Sequence, residues 1–289
     1  MTDINITNYS VVGGGTESIE NASIPSTYAS GGIYNKSILI DNNCTLEPKV
    51  QIYREQISTM YKYAEYHIPN YMNITTYPND IQYNPNTTGV INFVSAFANL
   101  KNCSDTIGSI INRFDWSSCK TIQYVFYNCR KLTGQIPEFP KDLAYMREAF
   151  THCRNLTGAI PKIPEGIQRL DYTFYDCSNL SGITGDLPTS ITNLESCFEE
   201  CSNLTGTIPN IPENVFDVAD AFWGCSKFSS SDIYVFSNKI NYANRFTVGC
   251  KNTMNIYVHA NTTTYNTFYK AMGNSTYNAS WGPAYLKTF

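Results

Sequence analysis

Residues 143–164 read LAYMREAFTHCRNLTGAIPKIP, and this pattern recurs along the chain with a period of 24 residues. In most copies a small residue precedes a phenylalanine, and cysteine, leucine and glycine follow it at fixed distances. The phenylalanines are Phe126, Phe150, Phe174, Phe198, Phe222 and Phe246. Cysteine follows the first five of them three positions later, at Cys129, Cys153, Cys177, Cys201 and Cys225. A fixed period of this length predicts stacked repeats, because one unit is too small to bury its own apolar face.

Each unit contains glycine and proline after about ten residues, and these exclude a long helix. Residues 146–153 have helical spacing, which predicts a short helical or 3₁₀ arc, whereas residues 156–160 alternate like one short strand. Stacking would align these strands into a parallel sheet and place the phenylalanine rings in an internal ladder. A further degenerate copy is predicted around Phe93 and Phe97.

The repeat resembles that of leucine-rich-repeat proteins. The hexad LTGQIP at 132–137 is similar to extracellular leucine-rich repeats. Residues 149–156 are more similar to the bacterial surface-antigen (BspA-like) group and its relatives in mycoplasmas, gut bacteria and phages. NIYVHA at 255–260, and the residues that follow it, are similar to the closing cap of that group. The resemblance implies an α/β repeat fold, a leucine-rich-repeat solenoid with short parallel strands, short helical arcs and a C-terminal α/β cap.

Four segments are predicted. Residues 1–47 are rich in Gly, Ser and Asn and are expected to form an extended arm. Residues 48–89 include apolar residues at three- and four-residue spacing between 50 and 64, which predict one amphipathic helix. This helix would cap the first repeat or, alternatively, attach the chain to a larger assembly. Residues 90–230 would form the solenoid, and residues 231–289 the C-terminal cap.

Composition and charge exclude several classes of function. The net charge is −4 and lysines and arginines are scattered, so no nucleic-acid partner is expected. No apolar stretch is long enough to span a membrane, so no membrane insertion is expected. The 22 tyrosines, with many Asn, Ser and Thr residues, suit contact with carbohydrate or protein, although an AT-rich genome would produce the same bias. The N-terminus lacks a signal-peptide pattern, and we therefore expect release by cell lysis within a phage particle.

The cysteines are predicted to be reduced and buried, because five of them occupy one internal position of the repeat. A zinc site formed by Cys197, Cys201 and Cys177 is the alternative, but one pair without a second pair or a nearby histidine is a poor zinc signature. No metal site and no cofactor are therefore expected.

The sequence contains none of the common catalytic motifs of hydrolases, phosphate-binding loops or zinc proteases. Two carboxylate pairs, Glu199 with Glu200 and Asp171 with Asp176, could lie close together. Such pairs are typical of a solvated surface, and nothing in the sequence predicts that burial raises the pKa of either partner. No catalytic residues are therefore expected.

The positions that vary between copies are the predicted binding residues, since a constant frame with variable side chains suits recognition. Drift on an unselected surface would give the same pattern. The ligand-binding candidates are Tyr127, Gln135, His152, Tyr175, Asp176, Glu199, Glu200 and Trp223.

Together these features predict a non-enzymatic structural or recognition protein. The first expectation is a phage virion component, such as a tail or head fibre or tip, that binds a glycan or protein of the host surface. Its N-terminal arm would contact other virion proteins, and homo-oligomerisation is an open option. The alternatives are a bacterial or protist cell-surface adhesin, located at the cell surface rather than in the virion, and a carbohydrate-active enzyme.

Overall fold

The computed structural model describes residues 92–112, 114–281 and 283–289, together with four short strands nearer the N-terminus. These strands are β1 (Ile4–Ile6), β2 (Tyr9–Val12), β3 (Ala22–Ile24) and β4 (Thr45–Pro48). Strand β1 pairs with β3, and β2 with β4, both antiparallel. The strands begin within the segment predicted to be an arm, for which no strand pairing was expected. The helix predicted between residues 50 and 64 lies outside the described residues.

Successive repeats are joined through single parallel β-bridges. One residue of each repeat takes part, namely Asn92, Thr121, Tyr145, Arg169, Asn193, Asp217 and Tyr242. After each bridge, alternate backbone N–H groups donate to the next repeat; four such groups in residues 122–128 donate to carbonyls of residues 145–151 over 2.7–3.1 Å. The repeats are therefore held together by their backbones, and the side chains between these bonds can vary.

The predicted helical arc is wrong, because the chain forms two consecutive β-turns there. In the third repeat, Ala149 N–H donates to the Met146 carbonyl and Cys153 N–H to the Phe150 carbonyl, at 3.1 and 3.0 Å. The third residue of each turn has a positive φ, +53° and +63°. A positive φ at this position defines a turn and ends any helix. The N–H groups that a helix would need already donate to the neighbouring repeat.

The single predicted strand is also interrupted. It consists of β6 (Leu156–Thr157) and β7 (Ala159–Ile160), separated by Gly158, whose φ is +79°. Strand β6 pairs in parallel with β5 (Gly134–Gln135), and β7 with β8 (Gly182–Ile183). The predicted continuous parallel sheet is therefore replaced along this side by short paired segments, because the left-handed glycine breaks the ladder.

The predicted phenylalanine ladder is confirmed from Phe97 to Phe222. Six buried rings stack in succession, with centroids 5.2–6.1 Å apart and planes within 18° of parallel. Phe97 stacks on Phe126 at 5.2 Å, so the degenerate first copy is a true member of the stack.

Phe246 does not continue this ladder, which corrects its predicted place. Its ring lies at 79° to that of Phe222 instead of stacking on it. The last bridge joins Asp217 to Tyr242, 25 residues later rather than 24, so the final repeat carries one extra residue. Thr247 consequently stands at the ladder position, and Phe246 stands where the other repeats mostly have a smaller residue.

The C-terminal part contains a four-stranded sheet and the longest described helix. Its elements are β9 (Ser231–Val235), β10 (Met254–Val258), α2 (Thr263–Ala271), β11 (Tyr277–Asn278), a 3₁₀ turn (Ala279–Trp281) and β12 (Ala284–Thr288). The strand order is β11-β12-β10-β9, with β11 antiparallel and the others parallel. A shorter helix, α1 (Ile107–Ile111), lies near the first repeat. No described helix has the length and apolar character that a membrane span requires.

Candidate functional site

Seven of the eight predicted binding residues lie on one ridge of the molecule. They occupy the two central positions of the second turn in consecutive repeats, and we call this surface the turn ridge. Its predicted members are Tyr127, His152, Tyr175, Asp176, Glu199, Glu200 and Trp223. Gln135 is not among them, since it lies in β5 with its side chain close to Gly158. The repeat therefore brings together residues that are 24 positions apart in sequence.

The second central position of this turn is left-handed in every described repeat, with φ between +58° and +85°. Asparagine and glycine tolerate this conformation, and they occupy it in the first two and last two repeats, at Asn99, Asn128, Gly224 and Gly249. The middle repeats instead place His152, Asp176 and Glu200 there. Left-handed backbone costs most non-glycine residues about 1–2 kcal/mol, and such strain is common at functional surfaces.

Five aromatic rings form a connected group on and beside the ridge, which we call the aromatic strip. Its members are Tyr124, Tyr127, His152, Tyr175 and Tyr172. Successive centroids are 5.1–6.2 Å apart, and each pair meets edge to face at 64–69°. This geometry is favourable for aromatic pairs and holds the rings in fixed orientations. The strip spans three repeats and is partly exposed.

The carboxylates near the strip differ in how they are neutralised. Asp176 is paired with His152, whose Nδ1 is 2.8 Å from Asp176 Oδ2, and with Arg154 at 2.7 Å. The side chain of Asp171, which is only 1% exposed, is held by Arg147 and Arg169 at 2.7 and 2.8 Å. Both aspartates are therefore components of ion pairs with arginines.

Four further carboxylates lack such partners, and we call them the acidic cluster. They are Glu195, Glu199, Glu200 and Asp217, and within the described residues none of them forms an ion pair. Burial raises the pKa of Glu199 above its ordinary value, and it raises the pKa of Asp217 to about 6. Nothing in the sequence predicted a raised pKa in the pair of Glu199 and Glu200, and the burial of Glu199 overturns that expectation.

Trp223 lies in the repeat that follows Glu199 and Glu200, and its ring already holds a cation of the chain. The guanidinium carbon of Arg245 lies 4.6 Å from the Trp223 ring centroid. The same guanidinium pairs with Asp220, at 2.6 Å from Nε to Oδ1, and this hydrogen bonding raises the pKa of Arg245. The arginine is thus placed between an aromatic face and a carboxylate, an arrangement that binds cations well.

The cysteine prediction is confirmed for the nine described thiols, which are all free and buried. Five of them, from Cys129 to Cys225, donate Sγ–H to the carbonyl of the ladder phenylalanine in the preceding repeat, over 3.0–3.1 Å. Burial raises the pKa of these thiols, for example that of Cys177. No group of three metal-ligating side chains is found in the part of the chain that the structure describes.

Sequence reasoning missed the contribution of the first turn. Tyr124, Tyr172, Asp220 and Arg245 all occupy its left-handed position, two residues before the ladder position. The signal was available, because these residues also vary between copies while the frame does not. It was hidden by the interpretation of this segment as a helical arc, which gives no reason to align these side chains with the second turn.

Comparisons with known proteins bear on the repeats. A family model described as BspA type leucine rich repeat region, in six copies, matches residues 97–229 and 169–276. These matches cover more than half of the chain and include the whole aromatic strip and acidic cluster. No match is found among curated proteins, and none among solved structures.

Proposed function

We propose that this chain, which belongs to the family of BspA-type leucine-rich-repeat proteins, is a non-enzymatic recognition protein whose binding surface is the turn ridge. Leucine-rich-repeat domains generally mediate protein–protein interactions. The observation that carries the proposal is the aromatic strip, in which five rings contact one another across three repeats. Rigid, partly exposed aromatic groups are frequent anchors of binding interfaces.

The hydrogen-bonded backbone of the repeats supports recognition in two ways. Inter-repeat backbone bonds fix the spacing of the ridge side chains without using those side chains. The left-handed turn positions of His152, Asp176 and Glu200 fix the backbone of the ridge at a cost in energy. A pre-organised surface of this kind loses little entropy when a partner binds.

The wider architecture belongs to the same proposal. Residues 90–230 form a solenoid, residues 231–289 its C-terminal cap, and residues 1–47 an arm that attaches the repeats to a larger particle. In the same proposal, residues 48–89 cover the first repeat or join the assembly. The Gly-, Ser- and Asn-rich composition of the first segment supports the arm, and the four-stranded sheet after the last repeat supports the cap.

The particle is a phage virion, in which the protein forms part of a tail or head fibre or its tip and binds a host-surface protein or glycan. The family match also supports a second candidate, an adhesin on the surface of a bacterium or protist. The carboxylates of Glu199 and Glu200 on the ridge disfavour a nucleic-acid partner, because they would repel backbone phosphates.

Immunogold electron microscopy of purified particles, with an antibody against the repeats, tests the location. Labelling of tails or heads supports the virion role, whereas protein found only in the supernatant of lysed cells contradicts it. Labelling of intact cells instead would favour the adhesin.

Binding of the purified full chain to host cells tests the surface. Tyr127→Ala removes a central ring of the strip and should weaken binding about tenfold, as expected for an aromatic anchor. Tyr277→Ala is the matched control, because Tyr277 is a 43% exposed tyrosine on the C-terminal sheet. Equal binding by both variants would contradict the assignment of the turn ridge.

A further inference from the structure

We propose that the turn ridge binds an arginine side chain of a partner protein, with the guanidinium against the Tyr175 ring and beside the carboxylates of Glu199 and Glu200. This inference rests on the proposed recognition function and names the chemistry of its partner. Three features of the ridge support it: a guanidinium already held by this chain, an equivalent ring without one, and the local charge.

The chain itself shows how this frame holds a guanidinium. Trp223 and Asp220 belong to one repeat, and Arg245 of the next repeat lies over the ring at 4.6 Å and pairs with the carboxylate at 2.6 Å. Trp223 is one position after the ladder phenylalanine, and Arg245 occupies the left-handed position of the first turn. The frame therefore allows an arginine to pack on a ring of the preceding repeat.

Two repeats earlier, the corresponding place has a ring but neither the cation nor its carboxylate partner, since Tyr172 stands at the position of Asp220. Tyr175 stands at the position of Trp223, and Ser196 stands at the position of Arg245. Ser196 is 2% exposed and its side chain is too short to cover the ring. The described ring contacts of Tyr175 are with His152 and Tyr172, in the preceding repeat and in its own.

The electrostatic potential around the Tyr175 ring favours a cation. Burial raises the pKa of Tyr175, and the charges of Glu199, Asp176 and Glu200 raise it further, against an opposing effect of Arg154. Asp176 is already paired with Arg154, whereas Glu199 and Glu200 have no ion-pair partner among the described residues. Glu199 is 6% exposed and already lies in the field of Arg245, which lowers its pKa, so the exposed Glu200 is the carboxylate that remains for a partner to neutralise.

The position of Glu200 makes the place accessible to a partner. Glu200 is exposed, and its carboxylate lies so close to Gly224 that a Cβ added there would be 3.0 Å from it. The Glu200 carboxylate thus lies over the repeat that carries Trp223, and its charge also raises the pKa of Tyr175.

Arginine fits better than lysine or a neutral sugar. Its planar guanidinium stacks on an aromatic face and offers several N–H donors to neighbouring carboxylates at once. A neutral glycan would cover the exposed Glu200 without compensating its charge, which is unfavourable. The ridge therefore selects a basic protein segment.

The test uses the full chain and a fluorescein-labelled peptide of alternating arginine and glycine, measured by fluorescence anisotropy. Peptides with lysine or glutamate in place of arginine serve as probes of charge and shape. We expect the arginine peptide to bind most tightly, the lysine peptide more weakly, and the glutamate peptide not at all. Glu200→Gln should weaken binding of the arginine peptide about tenfold.

Glu213→Gln is the matched control, since it removes the same charge at an exposed position outside the ridge. Its affinity should equal that of the unmodified chain. If both variants lose affinity equally, the peptide responds only to net charge and the inference is wrong. Equal affinity for the arginine and lysine peptides would also contradict a stacked guanidinium.

Two further variants use the internal example directly. Ser196→Arg places an arginine where Arg245 stands in the later repeat, and it should block the peptide site. Arg245→Ser removes the resident arginine and should open a second place at Trp223 and Asp220, so that two peptides bind per chain instead of one. Arg245 is exposed, so this variant should fold even if Ser196→Arg does not.

The outcomes separate the inference from the proposed function. If the chain binds host cells but not the arginine peptide, recognition stands and the partner is of another class, such as a glycan. If it binds the peptide as described but neither particles nor cells, the arginine site stands and the proposed function fails. If the chain binds neither cells nor the peptide, both the recognition function and the arginine site are contradicted.

Discussion

Asp217 is a residue whose charge is unfavourable in the folded state. The residue is 8% exposed, and burial raises the pKa of its carboxyl to about 6, with further contributions from Glu195, Asp171 and Asp220. Its Oδ1 accepts the backbone N–H of Ala219 over 3.0 Å, so the side chain also stabilises the turn. The residue therefore favours folding most when it is protonated.

This gives a pH-dependent prediction for Asp217→Asn. Because the pKa is raised in the folded state, the stabilisation by Asp217 is complete below about pH 4 and is lost as the pH rises through about 6. Between about pH 4 and pH 7 the unmodified chain should lose about 1–2 kcal/mol more unfolding free energy than the variant. Asparagine keeps the acceptor for Ala219, so the comparison isolates the charge.

Urea titrations at several pH values within this window measure the difference. Asp186→Asn is the control, because Asp186 is exposed, and its pH dependence should match that of the unmodified chain. Parallel curves for Asp217→Asn and the unmodified chain would show that the carboxyl is not destabilised in the fold.

At the scale of elements, the short strands depend on left-handed glycines. Gly158 separates β6 from β7 with a φ of +79°, and a Cβ there would lie 2.8 Å from Gln135 Cγ. Gly206, at the same position two repeats later, has a φ of +89° and no atom within 4 Å of an added Cβ. The two glycines therefore share a backbone requirement and differ in steric contact.

Alanine substitution separates these two effects. Both Gly158→Ala and Gly206→Ala should lose about 1–2 kcal/mol from left-handed strain. Gly158→Ala should lose about 1 kcal/mol more, because Gln135 must move. Chemical denaturation measures both losses, and Gln135→Ala in the Gly158→Ala background should abolish the difference. Equal losses in the two single variants would contradict the close approach.

Some elements could be predicted from sequence and others could not, for identifiable reasons. The 24-residue period is sufficient to predict stacking, buried cysteines and the ladder, because these depend on spacing alone. The turns were mistaken for helix because Glu148 and His152 adopt positive φ, which most residues avoid and periodicity does not reveal. The ion pair of Arg147 with Asp171 joins neighbouring repeats, and it becomes apparent only when the copies are aligned on the correct turn.

The extra residue in the last repeat had a sequence signal that the regular phenylalanines obscured. Phe246 keeps the 24-residue spacing, but Cys250 follows it after four residues instead of three. The structure follows the cysteine, since Cys250 Sγ is 3.7 Å from the Phe222 carbonyl, the equivalent of the other thiol bonds. The phenylalanine spacing and the cysteine spacing therefore conflict in this repeat. The register follows the cysteine, whose thiol is hydrogen-bonded to the backbone.

At the scale of the molecule, each repeat contacts chiefly the repeats beside it. The bridges, the inter-repeat backbone bonds and the thiol donors all join consecutive copies. Stability in such a stack is close to a sum of repeat and interface contributions. Removal of one whole internal copy should therefore shorten the stack and preserve its register.

Deletion of residues 145–168, which is one period, joins Ala144 to Arg169 and should give a folded chain. Arg130 has the same position as Arg154, so it can take over the ion pair with Asp176 that the deletion removes. We expect lower stability than in the full chain, because one interface is lost, and continued protection of the remaining described thiols.

The control is deletion of residues 145–167, which removes one residue fewer. It shifts the register of every later repeat by one residue relative to the first repeats. The shift would move Phe174 and Cys177 out of the positions that their predecessors Phe126 and Cys129 require, so buried side chains would face solvent. Urea unfolding, with iodoacetamide labelling of the thiols read by mass spectrometry, compares the two proteins. Because stacking depends on register and not on chain length, the shorter deletion should be the more damaging one; equal labelling of both would mean that the repeats fold without a common frame.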